Sequence, residues 1–154
     1  MSEIFETVFD VINTVRVRVS SCKNSENILQ GFERRAEDAP TLLSQGLTQA
    51  LTFYLYKVEE LSKFVDVYGW LFKNKKPNTD VCKNLADDEG YLLYTSVLFY
   101  LFEKLGVECK VEDLKICLSN ISEREAKVYR KLINYVIELK KVSKIMLSEK
   151  ETQS

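Results

Sequence analysis

The chain has 154 residues, 22 Lys and Arg against 23 Asp and Glu, five Gly, two Pro and no His. That length suits one domain whose core does not depend on disulfide staples. An apolar share of 45% with 29% charged residues excludes a disordered chain. Scarce Gly and Pro exclude a many-turned β sandwich, and the missing histidine removes the commonest general base and metal ligand.

In chain order, Ile4, Phe5, Val8, Phe9, Val11, Ile12 and Val15 fall at three- and four-residue spacing and predict a first helix from Ser2 to about Val19. The polar stretch Ser20 to Asn27 reads as a loop, with a second helix starting near Ser25 and carrying Ile28, Leu29, Phe32 and Ala36. Pro40 is expected to limit it, because a residue before proline is pushed out of the helical region. Leu47, Leu51, Tyr54, Val58, Leu61, Val65, Tyr68 and Phe72 alternate steps of four and three, which predicts one unbroken helix packed lengthwise against another. Lys73-Asn74-Lys75-Lys76-Pro77 stops it.

A short helix is expected from Asn78 to Leu85. Asp87-Asp88-Glu89 then precedes the apolar run Tyr91 to Leu105, as acidic residues do at a helix N-terminus, and Gly106 ends that run as a C-cap. Val111 to Leu118 reads as a shorter amphipathic piece. Ser122 and Glu125 have the spacing of a capping box opening the last long helix. The sum is an all-α bundle of about six helices, a single domain over residues 1–147 with a flexible tail over 148–154.

The N-terminus carries Glu3, Glu6 and Asp10 and does not read as a signal peptide. The run Tyr91 to Phe102 is shorter than the roughly 20 residues a bilayer span needs. Cys22, Cys82, Cys109 and Cys117 are scattered without a C-x-x-C pair, and are expected as reduced, mostly buried thiols of a cytoplasmic protein. No metal site, cofactor site or catalytic constellation is legible: three consecutive carboxylates point to different sides of a helix, and neither a nucleophile elbow nor a phosphate loop occurs.

The charge is unevenly spread. From Ser119 onward eight cations face five carboxylates, a surplus of +3, while the rest has 14 against 18, or −4. On a helical wheel Arg124, Lys127, Arg130, Lys131, Lys141 and Lys144 fall mostly opposite the apolar half, with Lys140 near the boundary. Such a stripe is either a solvated outer face or a ladder of cations for a nucleic-acid backbone. Arg34-Arg35 is a second, weaker basic point.

The stretch Phe32 to Lys57, FERRAEDAPTLLSQGLTQALTFYLYK, resembles the signature of the small subunit of type III-B (Cmr) CRISPR effector complexes. Pro40, Gly46, Leu47, Ala50, Leu51, Phe53 and Lys57 carry the resemblance, joined by Trp70 and by the closing pattern Tyr129, Ile133, Leu139, Lys140 and Lys141. Gln45, Thr52 and Glu138 depart from it, and residues 77–120 have no counterpart in it. The resemblance implies a small, non-catalytic all-α subunit, several copies of which stack beside the guide-RNA filament and help hold the target RNA. Its partners would be other effector subunits, further copies of itself, and the guide and target RNA backbones, in the cytoplasm and away from membranes.

Lys57, Lys140 and Lys141 are the candidate RNA-binding residues carried over from the motif. Arg34, Arg35, Lys127, Arg130, Lys131 and Lys144 are added on charge pattern alone. The rival readings are the small subunit of a type III-A complex, a helical adaptor without RNA contact, and a metal-dependent hydrolase built on the Asp87 cluster.

Overall fold

The computed structural model describes residues 3–147 and places eight helices there: α1 (Glu3–Val19), α2 (Ser25–Ser44), α3 (Leu47–Lys57), α4 (Leu61–Phe72), α5 (Val81–Asp87), α6 (Tyr91–Lys104), α7 (Leu114–Glu123) and α8 (Glu125–Leu147). The all-α class holds, with eight helices rather than about six. The tail expected over 148–154 lies outside the described residues.

Helix α6 is the central element. Ten of its fourteen residues are buried, from Leu92 to Phe102, so it is enclosed by neighbours as its all-round apolar sequence requires. It packs against α4, α2 and α3. Helices α1 and α2 form a hairpin, and α8 lies along both, turning Val128, Leu132, Val136 and Leu139 into the shared core. The start of α8 sits by the end of α2, where Glu125 and Tyr129 meet Leu43, Gly46 and Leu47. The two long helices are therefore antiparallel.

Three expectations about helix ends are corrected. Pro40 does not stop α2, which runs on to Ser44. A proline removes only its own donor from the ladder, and burial of Ala39 and Leu43 on either side keeps the last turn in register. The continuous helix expected over Leu47 to Phe72 is two helices, because Glu59 adopts φ +67° and turns the chain between Lys57 and Leu61. Of the alternating apolar positions Leu47, Leu51, Tyr54, Val58 and Tyr68 are buried, whereas Leu61 just after the break is exposed and Val65 and Phe72 are half-buried. The capping box at Ser122 does not form, since Ser122 lies within α7 and only Arg124 separates α7 from α8. Glu125 instead accepts hydrogen bonds from the Thr48 backbone N–H (3.3 Å) and hydroxyl (3.2 Å), capping α3 across the bundle.

The acidic cluster acts as expected at a helix start. The Asp88 carboxylate accepts from the Gly90 N–H at 3.1 Å and from the Leu92 N–H, closing the first turn of α6. Its burial is stronger than the pull of those bonds and raises its pKa to about 6, with Glu89 adding to the rise and Lys63 opposing it. Directly beside this turn, α2 crosses backbone to backbone. A β-carbon on Gly31 would come 2.9 Å from the Glu89 carbonyl carbon, and one on Gly90 (φ +97°) would overlap the Gly31 carbonyl. Glycine at both positions is what permits the crossing. On the opposite side of α6, Glu103 accepts from the Tyr68 hydroxyl (3.0 Å) and from Lys73 Nζ (2.9 Å), tying α4 to α6.

The cysteines also depart from expectation. Cys22, in the α1–α2 turn, is bonded to Cys82 of α5 with Cα atoms 5.4 Å apart, and Cys109 is bonded to Cys117 of α7. No free thiol remains. Sixty positions separate the first pair, so sequence spacing carried no hint of it; the fold brings the α1–α2 turn against α5. No helix among the described residues is long and apolar enough to cross a membrane.

Candidate nucleic-acid interface

Helix α8 buries one face because its apolar residues recur every three or four positions, and this leaves the opposite face to solvent. Lys127, Arg130, Lys131, Lys140, Lys141 and Lys144 are all exposed. At 100° per residue, Lys127, Arg130, Lys131 and Lys141 lie within one sector of about 100°, with Lys144 and then Lys140 progressively further round. From Lys127 to Lys144 the row is about 26 Å long at 1.5 Å per residue. Among the described residues, none of these six cations is in an ion pair; the three pairs are Arg35–Asp38, Lys63–Glu60 and Lys73–Glu103. The same sector also contains Ile145, 67% exposed, and half-buried Glu138, with Ile137 at its edge. The face is therefore cationic and apolar together.

The other three predicted residues lie on α2 and α3. Arg34 is exposed on α2. Arg35 and Lys57, 22 positions apart in sequence, are brought onto one ring: the Arg35 guanidinium lies 4.5 Å from the centroid of Tyr91, and Lys57 Nζ lies 5.5 Å from it and 5.6 Å from that of Phe53. Cations over aromatic faces are held by the ring quadrupole and lose mobility. Phe53, Tyr54 and Tyr91 form a mutual cluster with centroids 5.9 to 6.4 Å apart. These rings border a cleft of about 440 Å³ between α2, α3 and the start of α6, closed on its α2 side by Arg35, Asp38 and Gln45.

The structure thus divides the nine predicted cations into a row along α8, an aromatic cluster holding Arg35 and Lys57, and Arg34 by itself. The sequence pattern assigns Tyr54 and Tyr91 to the core; Tyr54 is buried as expected, while Tyr91 is half-buried and borders the cleft. The available signal was the position of Tyr91 directly after Gly90, at the first turn of α6, where a helix emerges toward the surface. Burial, helped by Tyr91 and Asp38, holds the Tyr54 phenol well above its ordinary pKa, against the pull of Arg35. It therefore remains a neutral donor at any physiological pH. No family model matches this chain, and no curated protein or solved structure matches it.

Proposed function

We propose that this protein is a non-catalytic helical subunit of an RNA-guided assembly, in the role of the small subunit of a type III-B CRISPR effector, lying along target RNA through α8. The observation that carries the reading is the set of six exposed cations on one long helix, four of them within one sector and none with an ion-pair partner among the described residues, in a chain whose net charge is only −1. A cation already paired to a carboxylate gives up that pair to meet a phosphate, whereas an unpaired one displaces only condensed counterions from the RNA. A subunit that tracks the backbone reads no bases, since pairing with the guide supplies specificity. The Gly46-Leu47 pair of the motif supports the type III-B assignment over type III-A. A cytoplasmic setting goes with that role. The two disulfides are the feature that does not favour this setting, since cytosolic proteins rarely carry them.

The test is fluorescence anisotropy with a single-stranded RNA across a salt series. If six cations meet phosphates, log K falls with log salt at a slope of about −4, from roughly −0.7 per contact. Changing Lys140, Lys141 and Lys144 to Glu should at least halve that slope, with an unchanged circular-dichroism spectrum. An unchanged slope refutes the reading. A helical adaptor without RNA contact is the second reading, favoured by Ile137 and Ile145 beside the cations. It would show salt-insensitive capture of a protein partner, lost on Ile145→Glu.

A further inference from the structure

A second groove, of about 360 Å³, opens between the start of α4 and the segment that leads into α7. Helix α4 contributes Leu61 and Val65 to its lining, and the incoming segment contributes Val111 and Leu114. Leu61 is 51% exposed, Val65 and Leu114 are half-buried, and Val111 is buried. Aliphatic side chains left open within a concave polar border gain by being covered. The groove is also held in shape before anything binds. Val111, Glu112 and Leu114 fall inside the short loop closed by the Cys109–Cys117 bond, and Asp113 caps α7 by accepting from the Ile116 N–H at 3.4 Å. Asp66 accepts from the Asn78 N–H (3.2 Å) and the Thr79 hydroxyl (2.6 Å), which fixes the loop after α4 at the groove's edge. A preformed site loses little ordering entropy when it is occupied.

The charge of the lining selects the partner. Asp66 and Glu112 are the charged residues among those that line the groove, and neither is in an ion pair among the described residues. Glu112 is exposed and open to a cation; half-buried Asp66, engaged by Asn78 and Thr79, adds a second negative charge. Lys110 and Lys115 flank this loop in sequence without lining the groove, and Lys63 is paired with Glu60. An anionic partner such as RNA therefore meets like charge here. A cationic side chain next to an aliphatic one suits both features, since Lys and Arg stems lie along apolar surface while their heads stay in water. We propose that this groove docks a cationic segment of a different protein. One aliphatic side chain of that segment sits between Leu61, Val65 and Leu114, and a neighbouring Lys or Arg meets Glu112. The site shares no residue with the α8 row or the Tyr91 cleft and does not rest on the RNA reading.

The full-length chain is titrated with the end-capped peptide KALKALK while the backbone resonances of Leu61, Val65 and Leu114 are followed by NMR. The controls are EALEALE, KAAKAAK and spermidine, which reverse the charge, remove the aliphatic anchor and supply charge alone. KALKALK should shift those resonances and bind about tenfold more tightly than any control. Raising salt from about 0.1 M to 1 M, which shortens the Debye length from about 10 Å to 3 Å, should weaken it severalfold. Leu61→Ser, at an exposed position, should weaken KALKALK about fivefold through lost apolar burial. Glu112→Lys, also exposed, should weaken it about fivefold and strengthen EALEALE, with the thermal midpoint confirming that each variant folds. Silence with KALKALK, or any control binding as tightly, overturns the proposal. So does an RNA oligonucleotide that shifts the same resonances. Self-association in analytical ultracentrifugation that is lost in Leu61→Ser also overturns it, assigning the groove to a second copy. Changing Lys140, Lys141 and Lys144 to Glu should leave KALKALK binding unchanged, so the groove and the RNA reading can fail separately.

Discussion

Removing the Cys22–Cys82 bond should lower stability far more than removing Cys109–Cys117. A cross-link stabilises chiefly by restricting the unfolded chain, and in that account the effect grows with the logarithm of the loop closed. The first bond closes 60 positions and the second 8. Entropy losses of about 14 and 8 cal/mol/K follow, or roughly 4 and 2.5 kcal/mol at 25 °C. Both are large beside the 5–15 kcal/mol of a typical domain. The assay is urea and thermal unfolding of Cys22→Ala/Cys82→Ala and Cys109→Ala/Cys117→Ala against the parent, with non-reducing alkylation and mass measurement to count thiols. At about 2–4 °C per kcal/mol for a chain of this size, the first variant should melt roughly 10 °C lower. Four free thiols in the purified parent would refute the pairing. An equal or greater loss in the second variant would refute the loop argument while leaving the bonds in place.

Two further outcomes are expected of the turn between α5 and α6. Gly90→Ala should cost roughly 3 kcal/mol or more in urea unfolding, because a left-handed residue gains a β-carbon against the Gly31 backbone, which has no rotamer to relax into; a loss below 1 kcal/mol would show that the crossing yields. Asp88 is held at a pKa of about 6, above its unfolded value near 4, so its contribution is fully present below pH 4 and is lost as pH rises through 6. Asp88→Asn keeps an acceptor for the α6 cap and removes the titration. It should therefore gain on the parent by on the order of 2 kcal/mol between pH 4 and pH 7, and a difference independent of pH would sink the argument.

The helices were legible where one physical rule governs them. Helix α6 and the described part of α1 lie within a residue or two of where periodicity, the acidic start at Asp88 and Gly106 put them, because burial of a single apolar pattern decides each. The break between α3 and α4 was not legible. Its apolar steps of four and three run straight through, and the turn rests on positive φ at a glutamate, which no propensity announces. Glu125 shows the same limit in another form: its spacing from Ser122 suits a local cap, yet its carboxylate serves Thr48, 77 positions away. Of the candidate site, the α8 row could be read from charge and period alone. The cleft could not, since Arg35, Lys57 and Tyr91 become neighbours only when three helices meet.

The packing of α8 on α1 and α2 has a consequence for how the chain is made. The first hairpin leaves the ribosome with its apolar seam uncovered, and the helix that covers it follows only after α3 to α7. Pairings this distant in sequence must bear their loop-closure entropy before any contact compensates it, which slows folding relative to a bundle of nearest neighbours. Some hundred residues thus emerge before the seam can close, and chain released short of α8 would expose it to aggregation or proteolysis. The helix that presents the cations is also the one that completes the core, so a translation product truncated before α8 would lack the basic face and the finished bundle alike.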